Sequence, residues 1–182
     1  MPTESENAVE QTACREEVDV SELTDEYRAL LSERRYAVLA TQDPEGTIHQ
    51  TPVWFIFEEG RFYIESNSAS RKVKNLHHRP AASITIDARQ PGVDRWVSAS
   101  GATDILSANE AQAINANIRK RYLTREAIED PRIGPSFAAA DDVTIRLTPA
   151  GWRSWSARDV DERFFGGILG QTPERWFLPI AP

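Results

Sequence analysis

A single cysteine, Cys14, is all the thiol in this 182-residue chain. One thiol cannot close an intrachain disulfide, and with no histidine or second cysteine near it Cys14 cannot seed a metal site. Positive charge is also scarce. Its 21 Lys and Arg stand against 28 Asp and Glu, a formal net charge of −7, which argues against general nucleic-acid affinity because phosphate contacts need a basic excess. No apolar run approaches the roughly 18 residues of a membrane span, so no membrane partner is expected. Residues 1–17 carry Glu4, Glu6, Glu10, Glu16 and Glu17 but no apolar core, hence neither a secretory signal nor a basic transit peptide. Residues 1–18 are expected to be a disordered acidic tail and the location cytoplasmic. There is no G-x-S-x-G elbow, no H-E-x-x-H and no P-loop, so serine hydrolases, zinc hydrolases of that type and P-loop NTPases are not indicated.

What is present fits one domain, at the usual 100 to 200 or so residues per domain. Asp19, Val20, Ser21 and Glu22 have the spacing of a capping box, and Val20, Leu23, Tyr27, Leu30 and Leu31 then recur on one face, which predicts the first helix. From Tyr36 the period shortens to two. Residues 36–41 make a strand, Asp43-Pro44-Glu45-Gly46 a turn, and residues 47–57 a second strand rich in β-branched and aromatic side chains. Glu59-Gly60 turns the chain again, and residues 61–66 alternate as a third antiparallel strand. Residues 81–87 and 95–106 supply the fourth and fifth. Ser107-Ala108-Asn109-Glu110 is a second capping box, opening a helix whose Ala111, Ile114, Ile118 and Tyr122 share a face. Residues 129–140, with two prolines and a glycine, read as loop, and residues 142–147 as a sixth strand that Thr148-Pro149 ends. The pattern predicts an α+β, mainly β, barrel-like domain of six antiparallel strands with flanking helices.

The third strand runs into Ser68-Ala69-Ser70-Arg71-Lys72-Val73-Lys74-Asn75-Leu76, followed by His77, His78 and Arg79, the densest positive cluster in an acidic chain. Ser68 or Ser70 suits the cap of a short helix whose first N–H groups stay free. With Arg71, Lys72 and Lys74 beside them they form a phosphate site. A solvated basic turn is the plainer alternative. Upstream, His49-Gln50-Thr51-Pro52-Val53-Trp54 places a proline inside a strand, where it cannot donate a ladder bond. That break leaves backbone groups near Thr51 and Val53 for something planar and polar, or marks a plain strand edge. Trp54 is core if it points inward and a stacking surface if it points out. Adjacent histidines on a helix face different ways, so His77 and His78 extend the anion surface rather than bind metal, and no metal is expected.

In their order and spacing, residues 36–42, the Asp-Pro-Glu-Gly turn, the His-Gln-Thr-Pro-Val-Trp-Phe strand, Ser-Arg-Lys-Val-Lys-Asn-Leu and Arg-Pro-Ala-Ala-Ser resemble the pyridoxamine-phosphate-oxidase-like, FMN-binding split-barrel superfamily. They are most similar to its branch of oxidoreductases dependent on the deazaflavin coenzyme F420. The resemblance covers residues 22–155. It implies a split β-barrel homodimer with two cofactor sites at the subunit interface. Carried onto this sequence, it implies that Gln50, Thr51, Pro52, Val53 and Trp54 line the ring, Ser66 flanks it, and Ser70, Arg71, Lys72 and Lys74 hold the phosphate. Asn75 matches the pattern and is equally suited to a structural role. Residues 19–156 are thus expected to form the cofactor-binding domain.

Residues 157–182, with Phe164, Phe165, Trp176 and Phe177, are too aromatic for a disordered tail. They are expected to pack on the barrel or the partner, or to lie over the cofactor as a lid. The expected activity is hydride transfer between reduced F420 and a small organic acceptor such as an enone, quinone or tetrapyrrole, with no catalytic acid assigned. The excess charge of Lys74 and Arg79 favours F420, whose polyglutamate tail would use it. FMN with oxidase or reductase activity is the first alternative, and a non-catalytic carrier of flavin, deazaflavin or haem the second.

Overall fold

The structure, a computed structural model, describes residues 18–20, 23–138 and 142–179. All but the last residue of the expected acidic tail lies outside these, as do Ser21 and Glu22 of the first capping box. The described strands form one antiparallel sheet: β1 (Val18–Val20), β2 (Ala37–Gln42), β3 (Ile48–Val53), β4 (Ile56–Glu58), β5 (Arg61–Asn67), β6 (Ala81–Ala88), β7 (Arg95–Leu106) and β8 (Asp142–Ser156). Along the sheet the order is β3-β2-β6-β7-β8-β5-β4, with β1 on the far part of β8. β3 and β4 stand at opposite ends of that path, yet only Trp54 and Phe55 separate them in sequence. A sheet whose two ends must meet within two residues has to curl, and the result is a half-barrel split at Trp54-Phe55.

Alternation fills the interior. Leu39, Val53, Phe62, Ile64, Ile84, Ile86, Val97, Ile145 and Leu147 point inward and belong to one buried cluster, which Leu30 and Leu31 of helix α1 (Asp25–Ser32) join. Each such side chain contributes about 1.5–3 kcal/mol by leaving water. Helix α2 (Arg71–His78) follows β5 and inserts Val73 and Leu76 into the same core. Helix α3 (Ala108–Tyr122) lies outside the sheet, its buried face made of Ala111, Asn115 and Ile118. The Asn115 Nδ2 donates to the Val143 carbonyl, and its Oδ1 accepts from Thr144 Oγ1 at 2.7 Å.

Several expectations are corrected. Helix α1 opens at Asp25, not at Val20, because Thr24 Oγ1 takes the Tyr27 N–H and so supplies the cap; residues 18–20 are strand β1 instead. The 47–57 strand is two, broken where the barrel splits. With β1 and the divided strand, eight strands replace six among the described residues. The last expected strand does not stop at Pro149 but runs to Ser156. A bulge explains this. The β7–β8 register slips so that Gly101 faces Pro149 and Ser100 faces Gly151, leaving Ala150 as an extra residue in a place that needs no proline N–H. Ser107 stands at the start of α3, but its side chain makes no capping bond. The 129–140 segment is not all loop, since it holds helix α5 (Gly134–Ala138) after α4 (Arg125–Glu129).

Beyond β8, α6 (Ala157–Phe165), α7 (Ile168–Gln171) and α8 (Pro173–Trp176) fold into a hook. The buried Asp161 carboxylate accepts the N–H groups of Leu169 and Gly170, and the hook packs so closely on the β6–β7 loop that a Cβ on Gly92 would press on Pro173. Among the described residues, no helix is long and apolar enough to cross a membrane.

Candidate functional site

The split in the barrel opens beside a small cavity of about 280 Å³, lined by Tyr36, Pro52, Val53, Trp54, Glu65 and Lys72. Three of these come from the proline-containing strand and its exit, one from β5 and one from α2. β3 is an edge strand paired with β2 alone, so it tolerates Pro52 and turns half of its backbone polar groups away from the ladder.

Trp54 is neither core nor a free plate. Its indole stacks on Tyr122, centroids 5.1 Å apart and planes 2° from parallel. Tyr122 is pinned in turn. Its hydroxyl donates to the Arg35 carbonyl at 2.6 Å and accepts the Phe55 N–H at 3.3 Å, and burial pushes its phenol above the usual range. The exposed ring of Tyr36 lies 6.2 Å from Tyr122 and lines the mouth.

The basic segment divides on folding. Ser70, not Ser68, caps α2, accepting the Val73 N–H, and its Oγ lies 2.9 Å from that of the buried Ser66. Arg71 and Lys72 are then the first residues of the helix, where backbone N–H groups lack helical partners. Consecutive helical residues diverge by about 100°, and the two cations meet different fates. Arg71 turns to the buried Asp43 and pairs with it at 2.9 Å. Burial works to raise the Asp43 carboxyl, but hydrogen bonds from the Thr47 N–H and Arg71 outweigh it and hold the group below its usual range. Lys72 turns into the cavity. It is half-buried, makes no ion pair or hydrogen bond among the described residues, and loss of solvent pulls its ammonium below the usual lysine value.

The remaining expected site residues spread out. Lys74 is exposed, Asn75 is buried and donates to Thr41 Oγ1 at 3.0 Å, and Gln50 is exposed on the strand edge. Thr51 Oγ1 sits 2.8 Å from His49 Nε2. The structure thus brings Pro52, Val53, Trp54 and Lys72 to one cavity. Gln50, Thr51, Ser66, Ser70, Arg71, Lys74 and Asn75 do not line it. His77 and His78 are exposed, and no group of metal-binding side chains occurs among the described residues.

A larger concavity of about 640 Å³ lies elsewhere, on the outer face of β6, β7 and β8 between Trp96, Trp152 and Arg153. Three of its hydroxyls already pair with one another, Thr85 Oγ1 donating to Ser98 Oγ and Ser83 Oγ 3.4 Å from the same oxygen. The smaller cavity is the better candidate because it holds an unpaired, partly desolvated cation, whose cost a bound anion relieves.

Residues 23–156 match the family model described as pyridoxamine 5'-phosphate oxidase. The chain belongs to the pyridoxamine 5'-phosphate oxidase family. This is a flavin-binding family that includes oxidoreductases. No curated protein matches the chain. Among solved structures, a conserved hypothetical protein from Mycobacterium tuberculosis is similar at 25% identity and a TM-score of 0.64, over 79% of this chain and 90% of that one. An F420 reductase is similar at 24% identity and a TM-score of 0.57, over 71% and 98%. The haem storage protein HutZ of Vibrio cholerae shares the fold at 18% identity and a TM-score of 0.56, over 72% and 93%.

Sequence reasoning missed Tyr36, Tyr122 and Glu65, whose carboxylate Arg119 of α3 holds through Nε at 2.8 Å. Tyr122 was legible only as a helix-face residue, and Glu65 only as the polar step of an alternating strand.

Proposed function

We propose that this chain is an oxidoreductase that binds a phosphate-bearing deazaflavin of the F420 type in the Trp54–Lys72 cavity. When bound, that cofactor supplies a hydride to an activated double bond or similar small acceptor. The observation that carries the reading is the Lys72 ammonium, half-buried and unpaired among the described residues beside the split of a flavin-binding fold. Lys72 and the free N–H groups at the start of α2 hold the anionic group. Trp54, fixed by Tyr122, and the Pro52–Trp54 edge bound the ring and exclude water from one side. Arg71, paired with Asp43, fixes the start of α2 against the β2–β3 turn and adds field rather than the main contact.

Two features extend the proposal. Lys74 and Arg79 are exposed and unpaired among the described residues, so they offer sites for an acidic tail, which favours F420 over FMN. A cavity of about 280 Å³ is small beside the roughly 300–1,000 Å³ of sites that enclose a whole ligand, so a second copy of the chain completes the site and the working form is a homodimer. FMN is the second reading, in the same cavity with the same contacts.

Visible absorbance of the protein as purified, followed by titration with F420 and FMN and assay of the reduced complexes on enones and quinones, tests the function. Preferential F420 binding with acceptor turnover is expected. A tightly bound flavin replaces the first reading by the second, and binding without turnover leaves a carrier.

A further inference from the structure

Of the 21 Lys and Arg residues in the chain, only Lys72, Lys74 and Lys120 are lysine. Lys74 and Lys120 are exposed, whereas Lys72 is half-buried and lines the cavity beside Pro52, Val53 and Trp54. An arginine at this place would grip a phosphate through two donors and never lose its charge. A lysine can also become a neutral amine, which is a nucleophile.

The surroundings favour that neutral form. Lys72 makes no ion pair or hydrogen bond among the described residues, and its neighbour Arg71 is turned away onto Asp43. The titratable groups that share the cavity with it are Tyr36, ahead of β2, and Glu65 of β5. Glu65 is engaged elsewhere: Arg119 bonds its Oε1 through Nε at 2.8 Å and through Nη2, and its Oε2 is buried without a partner. No carboxylate oxygen therefore offsets the cost of holding an ammonium here. Loss of solvent is the one cause acting on Lys72, and it weakens the hold on the proton.

We propose that Lys72 is a reactive amine that captures a planar aldehyde as an imine inside the cavity, and that this capture and anion binding exclude each other. The exclusion rests on the cofactor reading, and the capture does not. The neutral amine adds to the carbonyl carbon and a C–N bond forms. The two N–H hydrogens leave with the carbonyl oxygen as water, a C=N bond remains, and no electrons are exchanged. Trp54 and Tyr36 supply aromatic walls for the planar part of the aldehyde. An anion beside Lys72 keeps it charged and hides it, whereas an imine deprives the anion of its cation.

The probe is benzaldehyde, added at neutral pH to the full chain without cofactor, with sodium cyanoborohydride to fix the imine and peptide mass mapping to place it. Lys72, though less exposed, is expected to be labelled roughly tenfold or more faster than Lys74 or Lys120, because each unit by which an ammonium is weakened gives about ten times more neutral amine. Labelling of Lys72 no faster than the other two overturns the capture claim whatever the chain's function. Saturating F420 or FMN is expected to slow labelling of Lys72 and not of Lys120. Labelled protein, freed of reagent, is expected to lose at least about tenfold in cofactor affinity, while Lys72→Arg put through the same treatment keeps the affinity it had before. Unchanged affinity of the labelled wild type, or an equal loss in treated Lys72→Arg, overturns the exclusion claim. Fast labelling of Lys72 in a protein that binds neither cofactor sinks the functional reading and leaves the reactive amine standing.

Discussion

Trp54 lies flat on Tyr122, and through the Tyr122 hydroxyl the wall of the cavity is tied to the carbonyl of Arg35, at the exit of α1. The stack fills the turn where the sheet's two ends meet, so the cavity wall and the barrel closure are one arrangement. Tyr122→Phe is expected to keep the stack and the cofactor affinity while lowering unfolding free energy by about 1–3 kcal/mol, the usual cost of a lost buried hydrogen bond. Tyr122→Leu removes both and is expected to weaken cofactor binding several-fold as well. Urea denaturation and ligand titration of the two variants separate the effects.

Lys72 and Arg71 are adjacent, yet they are expected to behave differently. Lys72→Ala removes an unpaired cation from the cavity, so cofactor affinity falls roughly ten- to hundredfold, in line with about 1.5–3 kcal/mol for a charge-assisted bond. Stability stays the same or rises slightly. Arg71→Ala costs less affinity and more stability, because it strips Asp43 of its partner. The proton balance gives a second check. Lys72 holds its proton less readily in the folded chain than in the unfolded one, so native stability rises as pH climbs from its lowered value to that of free lysine. Lys72→Met removes that rise from the difference between the two denaturation curves.

Asp43 gives the opposite dependence. Its carboxyl is held low in the folded state, so its stabilising contribution is complete above the ordinary aspartate value and is lost as pH falls through the lowered one. Asp43→Asn retains the Oδ1 acceptor for the Thr47 N–H but loses the charge that faces Arg71. Thermal unfolding from neutral to acid pH is expected to show a shallower acid decline in the variant than in the wild type.

Residues with a clear period were legible in the sequence. The 95–106 strand has the ends expected of it, and Ser70 is one of the two caps proposed for α2. The errors fall where tertiary contacts override local pattern. Pro149 looked like a terminator because a bulge opposite Gly101 cannot be read from one strand alone. Thr24 displaced the expected cap of α1, since both sites have a side-chain acceptor and only the sheet partner of residues 18–20 decides between them. In the site, the basic cluster marked the right helix, but its sequence did not say that Arg71 would be spent on Asp43 while Lys72 faced the cavity. Glu65 and Arg119 are 54 residues apart, and no periodicity links them.

The bulge carries its own prediction. A Cβ at Gly101 would run into the Thr148 carbonyl oxygen, and the neighbouring atoms are backbone that cannot swing away. Gly101→Ala is expected to destabilise by more than about 3 kcal/mol, the mark of backbone or core disruption. Denaturant unfolding measures it, and Gly151→Ala, which meets nothing within 4 Å, is the matched control.

The most direct test of the cofactor site is an equilibrium titration of wild-type protein and Lys72→Ala with F420 and FMN, followed by visible absorbance. The wild type is expected to bind F420, with FMN weaker, and Lys72→Ala to lose at least about tenfold in affinity while melting as the wild type does. Absence of binding to either cofactor, or equal affinity in the two proteins, would contradict the account.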